Sequence, residues 1–293
     1  MEADEGVVTT HLRHLKVRNL RQTSISNRRY VLRRLGAWAA GAKRDDRNPP
    51  LAPILYLTES QLEAWQTESA GLVTPATLRM EMSSVRMFYA WCIKAGLRAD
   101  NPAEDLDMPM VHRGLPKPMK DADLARAIAA ADPRIAAVLA LAAFAGLRAC
   151  EIARQDWSEV DLSAEEPHLR VMDGKGGHGR IVPVSSALAE ILRALPTRHG
   201  AVITQPSGHA GHCKPHRISQ LANTYLHEDM HIEKSLHKIR HRFATATYAH
   251  CKDIRAVQEL MGHASPTTTS IYAQASTDVA RLAVEAAGTL DAA

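Results

Sequence analysis

The sequence predicts a mainly α-helical protein in two domains, with a single small β-hairpin or sheet in the second. Three observations carry this. The chain has 293 residues, about two domains at roughly 100 to 200 residues each. Apolar residues recur at three- and four-residue spacing over most of its length, whereas two-residue alternation is confined to the neighbourhood of Leu169 to Val184. Between Met108 and Pro118 three prolines and a glycine interrupt any hydrophobic period. The expected organisation is a helical domain over residues 1–107, a linker over 108–118 and a mixed domain over 119–293.

Thr9 to Leu20 and Ser24 to Ala40 read as the first two helices, the second placing Val31, Leu35 and Trp38 on one face. Thr58 to Gln66 forms a short third helix, with Thr58 as N-cap and Gln61 placed to close a capping box. Thr74 and Pro75 open a longer fourth, carrying Leu78, Met82, Val85, Tyr89 and Cys92 inward until Gly96 stops it. Past the linker come a helix from about Asp121, a wholly apolar stretch from Ile135 to Leu147, and a helix over Arg148 to Gln155. Leu169 and Val171 alternate, a Gly-rich run from Gly174 to Gly179 follows, and Ile181, Val182 and Val184 resume, which is the pattern of a hairpin. Helices return at Ser185 to Leu195, His216 to Leu226, Leu236 to His250, Asp253 to Met261 and Pro266 to Ala275.

Composition narrows the class. With 45% hydrophobic and 23% charged residues the chain matches globular proteins, not disordered or collagen-like ones. The apolar stretch of 13 residues falls short of the roughly 20 that span a bilayer, so a buried helix is expected. The acidic opening, Met1 to Gly6, is unlike a secretion leader, and a cytoplasmic location without membrane attachment is expected. Cys92, Cys150, Cys213 and Cys251 form no CxxC pair, which points to reduced thiols. Net charge is only +4. Lys16, Arg18, Arg21, Arg28, Arg29, Arg33 and Arg34, however, follow one another without an intervening acid. Such a stripe is suited to tracking the phosphates of a duplex, contacts that position a protein without reading sequence.

The second half carries an ordered set of polar residues matched to phosphoryl transfer. Arg148 follows the buried helix, and a guanidinium that never loses its charge suits a phosphodiester gaining negative charge in its transition state. Lys175 lies in the Gly-rich hairpin. His237, Arg240 and His241 stand at i, i+3 and i+4 and share a helix face; of these His241 is read as a structural, hydrogen-bonded histidine. Gly262 ends one helix, Ser265 and Pro266 start another, and His263 and Tyr272 flank that junction. With an unperturbed pKa near 10, only about one phenol in a thousand is ionised at pH 7, so neighbouring cations or a base must activate Tyr272. Tyr225 and Tyr248 lack a preceding Gly-His turn.

Four blocks, Gly146-Leu147-Arg148-Ala149-Cys150-Glu151-Ile152, Gly174-Lys175-Gly176, Leu236-His237-Lys238-Ile239-Arg240-His241, and Leu260-Met261-Gly262-His263 running to Tyr272, together resemble the tyrosine recombinases, the phage integrases and Xer-like resolvases. The resemblance covers nearly the whole chain. It implies a helical core-binding domain and a mixed α/β catalytic domain that clamp double-stranded DNA at attachment or core sites. It further implies that Arg148 and Arg240 grip the scissile phosphate, Lys175 protonates the leaving 5′ oxygen, His237 is general acid/base, His263 hydrogen-bonds the phosphate and Tyr272 is the nucleophile. A 3′-phosphotyrosine that stores the bond energy requires no metal, ATP or other cofactor. Self-association into a synaptic tetramer and help from accessory DNA-bending or directionality factors follow from the same likeness, whereas an arm-binding module is expected to be absent. Met261 stands where Leu is usual, a volume-conserving change.

The expected function is integration or excision of a phage or other mobile element, with a Xer-like dimer resolvase as the alternative within the class and a noncatalytic DNA-binding regulator outside it. Two metal-like patterns are set aside. His227-Glu228-Asp229-Met230-His231 fits HExxH but does not read as a continuing helix, and His209, His212, Cys213 and His216 fall in an interrupted loop. Lys175 is not followed by Ser or Thr, which excludes a P-loop. The tail from Thr277 to Leu290 has helical spacing and suits docking on a neighbouring protomer or packing on its own core equally.

Overall fold

The computed structural model describes residues 2–43, 49–111, 118–172, 179–205 and 211–262. The chain divides into two compact units, Met1–Arg113 and Gly114–Ala293. Among the described residues the architecture is mainly helical with one three-stranded sheet, as expected.

The first unit holds α1 (Glu2–Val17), α2 (Gln22–Ala39), α3 (Glu59–Ala70) and α4 (Pro75–Lys94). Its boundaries follow local chemistry. Thr58 and Gln61 exchange bonds as a capping box, the Thr58 N–H donating to Gln61 Oε1 at 2.9 Å. Thr74 caps α4 with Pro75 at its first position, and Gly96 ends it at φ 70°. The core joins Val31, Leu32 and Leu35 of α2 to Leu62 and Trp65 of α3 and Met82, Val85 and Phe88 of α4.

In the second unit α5 (Asp121–Ala130) leads into α6 (Pro133–Phe144), which Asp132 caps through the N–H groups of Arg134 and Ile135. Residues Ala136 to Ala143 are all buried, so α6 is apolar on every side and serves as the axis of the unit. After it come α7 (Ala149–Ile152), β1 (Val160–Asp161), β2 (His168–Val171), β3 (Arg180–Pro183), α8 (Ser186–Arg193), α9 (Pro215–Thr224), α10 (Leu236–Cys251) and α11 (Ile254–Met261). The strands are antiparallel in the order β1-β2-β3, with Val160 opposite Leu169 and Leu169 opposite Val182. The hairpin strands were expected; β1 was not. The helix expected over Arg148 to Gln155 is a single turn: after Ile152 the N–H groups of Arg154 and Gln155 make the tighter three-residue bonds to Glu151 and Ile152, and the Trp157 N–H then goes to the Gly200 carbonyl at 2.8 Å.

Candidate active site

The site is assembled from five elements: the exit of α6, the turn of α7, the start of β3 and the facing parts of α10 and α11. At the exit of α6, Gly146 adopts φ +63°, and a Cβ there would lie 2.5 Å from Phe243 Cδ1. Only glycine makes this turn without strain or collision. The turn delivers Arg148, extended at φ −79° and ψ 157°, to the N-terminus of α7, where its N–H donates to Glu151 Oε2 at 2.8 Å.

Glu151 is 5% exposed and is the hub of the site. Its Oε1 accepts from Arg148 Nη1 at 2.8 Å and from Arg180 Nη1 at 3.0 Å; its Oε2 accepts from Arg180 Nη2 at 3.0 Å and from Arg240 Nη1 at 3.4 Å. Burial pushes the carboxyl up, but the forked bond and charge of Arg180, the Arg148 N–H and the charge of Arg240 outweigh it and hold the pKa at about 2. Three guanidiniums against one carboxylate leave this cluster with a net charge of +2, matched to a phosphodiester as it gains charge in a transition state.

The same three arginines close the end of α11. Its final backbone carbonyls have no partner inside the helix, and each is taken by a different guanidinium. Arg180 Nε donates to the Leu260 carbonyl at 2.7 Å, Arg240 Nη2 to Met261 at 2.5 Å and Arg148 Nη2 to Gly262 at 3.1 Å. Arg240 Nη1 also donates to the Gly146 carbonyl, tying the exit of α6 to the same point. Cations at a helix C-terminus are favoured by the helix dipole. Gly262 ends α11 at φ +59°, and a Cβ there would stand 2.7 Å from Arg180 Nη1. Arg240 is only 3% exposed, whereas the Arg148 side chain is 26% exposed and opens the cluster to solvent.

His237 and His241 lie one turn apart on α10, their rings in edge contact at 4.4 Å. Burial, then the charges of Arg240, Lys238 and Arg148, lower the His237 pKa; burial, His237, Lys238 and Arg240 lower that of His241 to about 4. Both imidazoles are therefore neutral near pH 7, the state in which one nitrogen can accept a proton.

The structure thus gathers Arg148, His237 and Arg240 around one point. Lys175, His263 and Tyr272, the expected Pro266 to Ala275 helix and the tail from Thr277 lie outside the described residues. Sequence reasoning quoted Glu151 without giving it a role and missed Arg180 entirely. The i, i+3 spacing of Arg148 and Glu151 is a signal for the first; the second depends on partners 29 and 80 positions away and leaves no local pattern. Of the basic stripe, Lys16, Arg18, Arg21, Arg29 and Arg33 are exposed. Arg34 instead pairs with Glu81, which is buried inside α4, and Arg28 turns inward to donate to Met87 Sδ at 3.2 Å. In the HExxH pattern, Tyr225–Asp229 is a π-helical turn and His231 sits at φ 54°, so the two histidines are not successive rungs of an α-helix.

Comparison with known proteins places this architecture. The model of the phage integrase family matches residues 118–278. The tyrosine recombinase XerC of Xanthomonas campestris pv. campestris is 30% identical over 291 residues, covering 92% of this chain and 84% of that protein. XerC of Xylella fastidiosa is 35% identical over 230 residues, covering 75% and 77%. Among solved structures, lambda integrase residues 75–356, a dimer on a COC′ core site, aligns with a TM-score of 0.72 at 16% identity, over 92% of this chain and 94% of that one, and so shares the fold. The chain belongs to the phage integrase family. It is a tyrosine-type site-specific DNA recombinase, an enzyme.

Proposed function

We propose that Tyr272 attacks a DNA phosphodiester held by Arg148 and Arg240, forming a 3′-phosphotyrosine and releasing a 5′ hydroxyl. The observation that carries this is the convergence of three guanidiniums on Glu151 and on the carbonyls of Leu260, Met261 and Gly262. Backbone and carboxylate partners fix each guanidinium plane before substrate arrives, so little reorganisation accompanies the charge that develops on the phosphate. Neutral His237, beside both arginines, serves as general acid/base. Lys175 supplies the proton to the leaving 5′ oxygen and His263 a further hydrogen bond to the phosphate. The exposed residues Lys16, Arg18, Arg21, Arg29 and Arg33 track the duplex backbone. Rejoining is the reverse reaction, performed by the 5′ hydroxyl of another strand through a Holliday junction.

The biological step is integration or excision of a mobile element at attachment sites, carried out in the bacterial cytoplasm by a tetramer on DNA, with accessory proteins setting direction. Among the described residues no helix is long and apolar enough to cross a membrane. The match to XerC across 92% of the chain supports a second reading, resolution of chromosome or plasmid dimers. A deletion strain that accumulates unresolved dimers would select that reading; failure to integrate a marked element would select the first.

The chemical proposal is tested with a nicked suicide duplex. Wild type is expected to trap a covalent adduct whose linkage maps by peptide sequencing to Tyr272, and Tyr272→Phe to bind the duplex unchanged without forming any adduct. A linkage on another side chain would overturn the assignment.

A further inference from the structure

Among the cationic side chains of the second unit, Arg180 carries more structural consequence than its place in the sequence suggests. It opens β3, immediately after the segment that includes Lys175, and its side chain is 9% exposed. All three of its guanidinium nitrogens are engaged: Nη1 and Nη2 form a fork on the two oxygens of Glu151, and Nε donates to the Leu260 carbonyl at 2.7 Å. Those partners link the clamp to the last turn of α11. Glu151 in turn holds Arg148 and Arg240, which bind the next two carbonyls, of Gly262 and Met261. The backbone at Gly262 is packed so closely on this guanidinium that a methyl group would meet it at 2.7 Å.

We propose that Arg180 is a positioning residue for strand cleavage: by holding Glu151 and the Leu260 carbonyl together, it sets the orientation of Arg148 and Arg240 and the geometry of the backbone at Gly262. Arg180 does not touch the phosphate in this scheme; it acts through Glu151 and the end of α11. Lysine cannot replace it, because one ammonium does not reproduce a planar fork with a third donor on its edge. The inference rests on the recombinase reading given above.

The test measures single-turnover adduct formation on the nicked duplex, together with duplex affinity, thermal midpoint and the pH profile, for Arg180→Lys and Arg180→Ala. Misplacing reacting groups by about 1 Å can cost on the order of 100-fold, so a fall in cleavage rate of about that size is expected, with duplex affinity retained. Added guanidinium ion should restore part of the Arg180→Ala rate. The variants should also lose rate relative to wild type as pH falls, because the Glu151 carboxyl, deprived of its strongest partner, takes up a proton at a higher pH than in wild type.

Wild-type rates in both variants would overturn the inference. So would a rate that falls only in step with the thermal midpoint, with no rescue by guanidinium and a pH ratio parallel to wild type, since that is the behaviour of a merely structural arginine. If Arg180→Ala fails to fold, the rate and pH ratio of Arg180→Lys decide the matter. Absence of any adduct in wild type would instead refute the recombinase reading, so the two failures are distinguishable.

Discussion

Glu151 shows how one buried carboxylate organises chemistry performed by its neighbours. Removing one member of a buried, charge-paired network costs about 3 to 5 kcal/mol, because the partners are left buried without compensation. Glu151→Gln is therefore expected to lower stability by about 3 kcal/mol in urea denaturation, and to slow cleavage because the guanidiniums lose their shared negative charge and one of the two acceptor oxygens becomes an NH2 donor facing them. The sign of the pH effect follows from the depressed pKa. In wild type the contribution of Glu151 is fully present above the ordinary carboxylate value of 4.5 and is lost as pH falls toward about 2. The glutamine variant lacks that contribution, so its stability deficit should shrink as the medium is acidified through this window. A deficit that stays constant would show that the charge of Glu151 is not what stabilises the cluster.

At the scale of elements, the site is made by where helices end. Gly146 turns the exit of α6 and offers its carbonyl to Arg240 while packed against Phe243. Gly146→Ala combines a left-handed backbone with a collision, and is expected to cost about 3 kcal/mol in the urea midpoint and to abolish cleavage. Gly41→Ala provides the control: its φ of +73° carries the same strain, but nothing lies within 4 Å of the added methyl, so a destabilisation of about 1 to 2 kcal/mol with normal cleavage is expected.

These endings also explain what could be read from sequence. The box at Thr58 and Gln61, the Thr74-Pro75 start and the stops at Gly96 and Gly262 are written in residues within a turn of one another, and all four were legible. β1 was not, because two residues have no period and its existence depends on Leu169 pairing with Val160. The shortness of α7 was hidden for the same reason, since the Trp157 N–H that would continue it pairs with the distant Gly200 carbonyl. Arg148, His237 and Arg240 were legible as candidates by motif; Arg180 was not, since its three bonds arise only after β3 is brought against the end of α11.

For the whole molecule, each unit carries its own acid sensitivity. In the first, His11 is buried against Phe88 and Trp91, with ring centroids 5.4 and 5.0 Å away; burial, then Arg28 and His14, lower its pKa from 6.5 to about 4. In the second, His241 is held at about 4 as well. Between these values the unfolded chain binds protons that the folded chain refuses, so stability should fall as pH drops from 6.5 toward 4. His11→Phe keeps an aromatic ring there, and is expected to reduce the difference in thermal midpoint between pH 7 and pH 5, His237 and His241 supplying the remainder. An unchanged difference would remove His11 from this account.

The basic stripe gives a second test at this scale. Substituting glutamine for the exposed residues Arg29 and Arg33 should weaken duplex binding and flatten its salt dependence by nearly two counterions, at about 0.9 for each phosphate no longer neutralised. Arg34→Gln should instead appear as reduced stability, because its charge belongs to Glu81. A stripe whose salt slope ignored Arg29 and Arg33 would be a solvated surface.

One further consequence follows from α6, whose residues from Ala136 to Ala143 face protein on every side. Five of those eight positions are alanine, the smallest side chain that still favours a helix, so the surrounding elements pack against short side chains. Such a rod leaves no room for growth: even Ala140→Val would force neighbours apart at a cost of about 1 to 3 kcal/mol. Genetic drift in this gene should therefore be quiet along this buried segment.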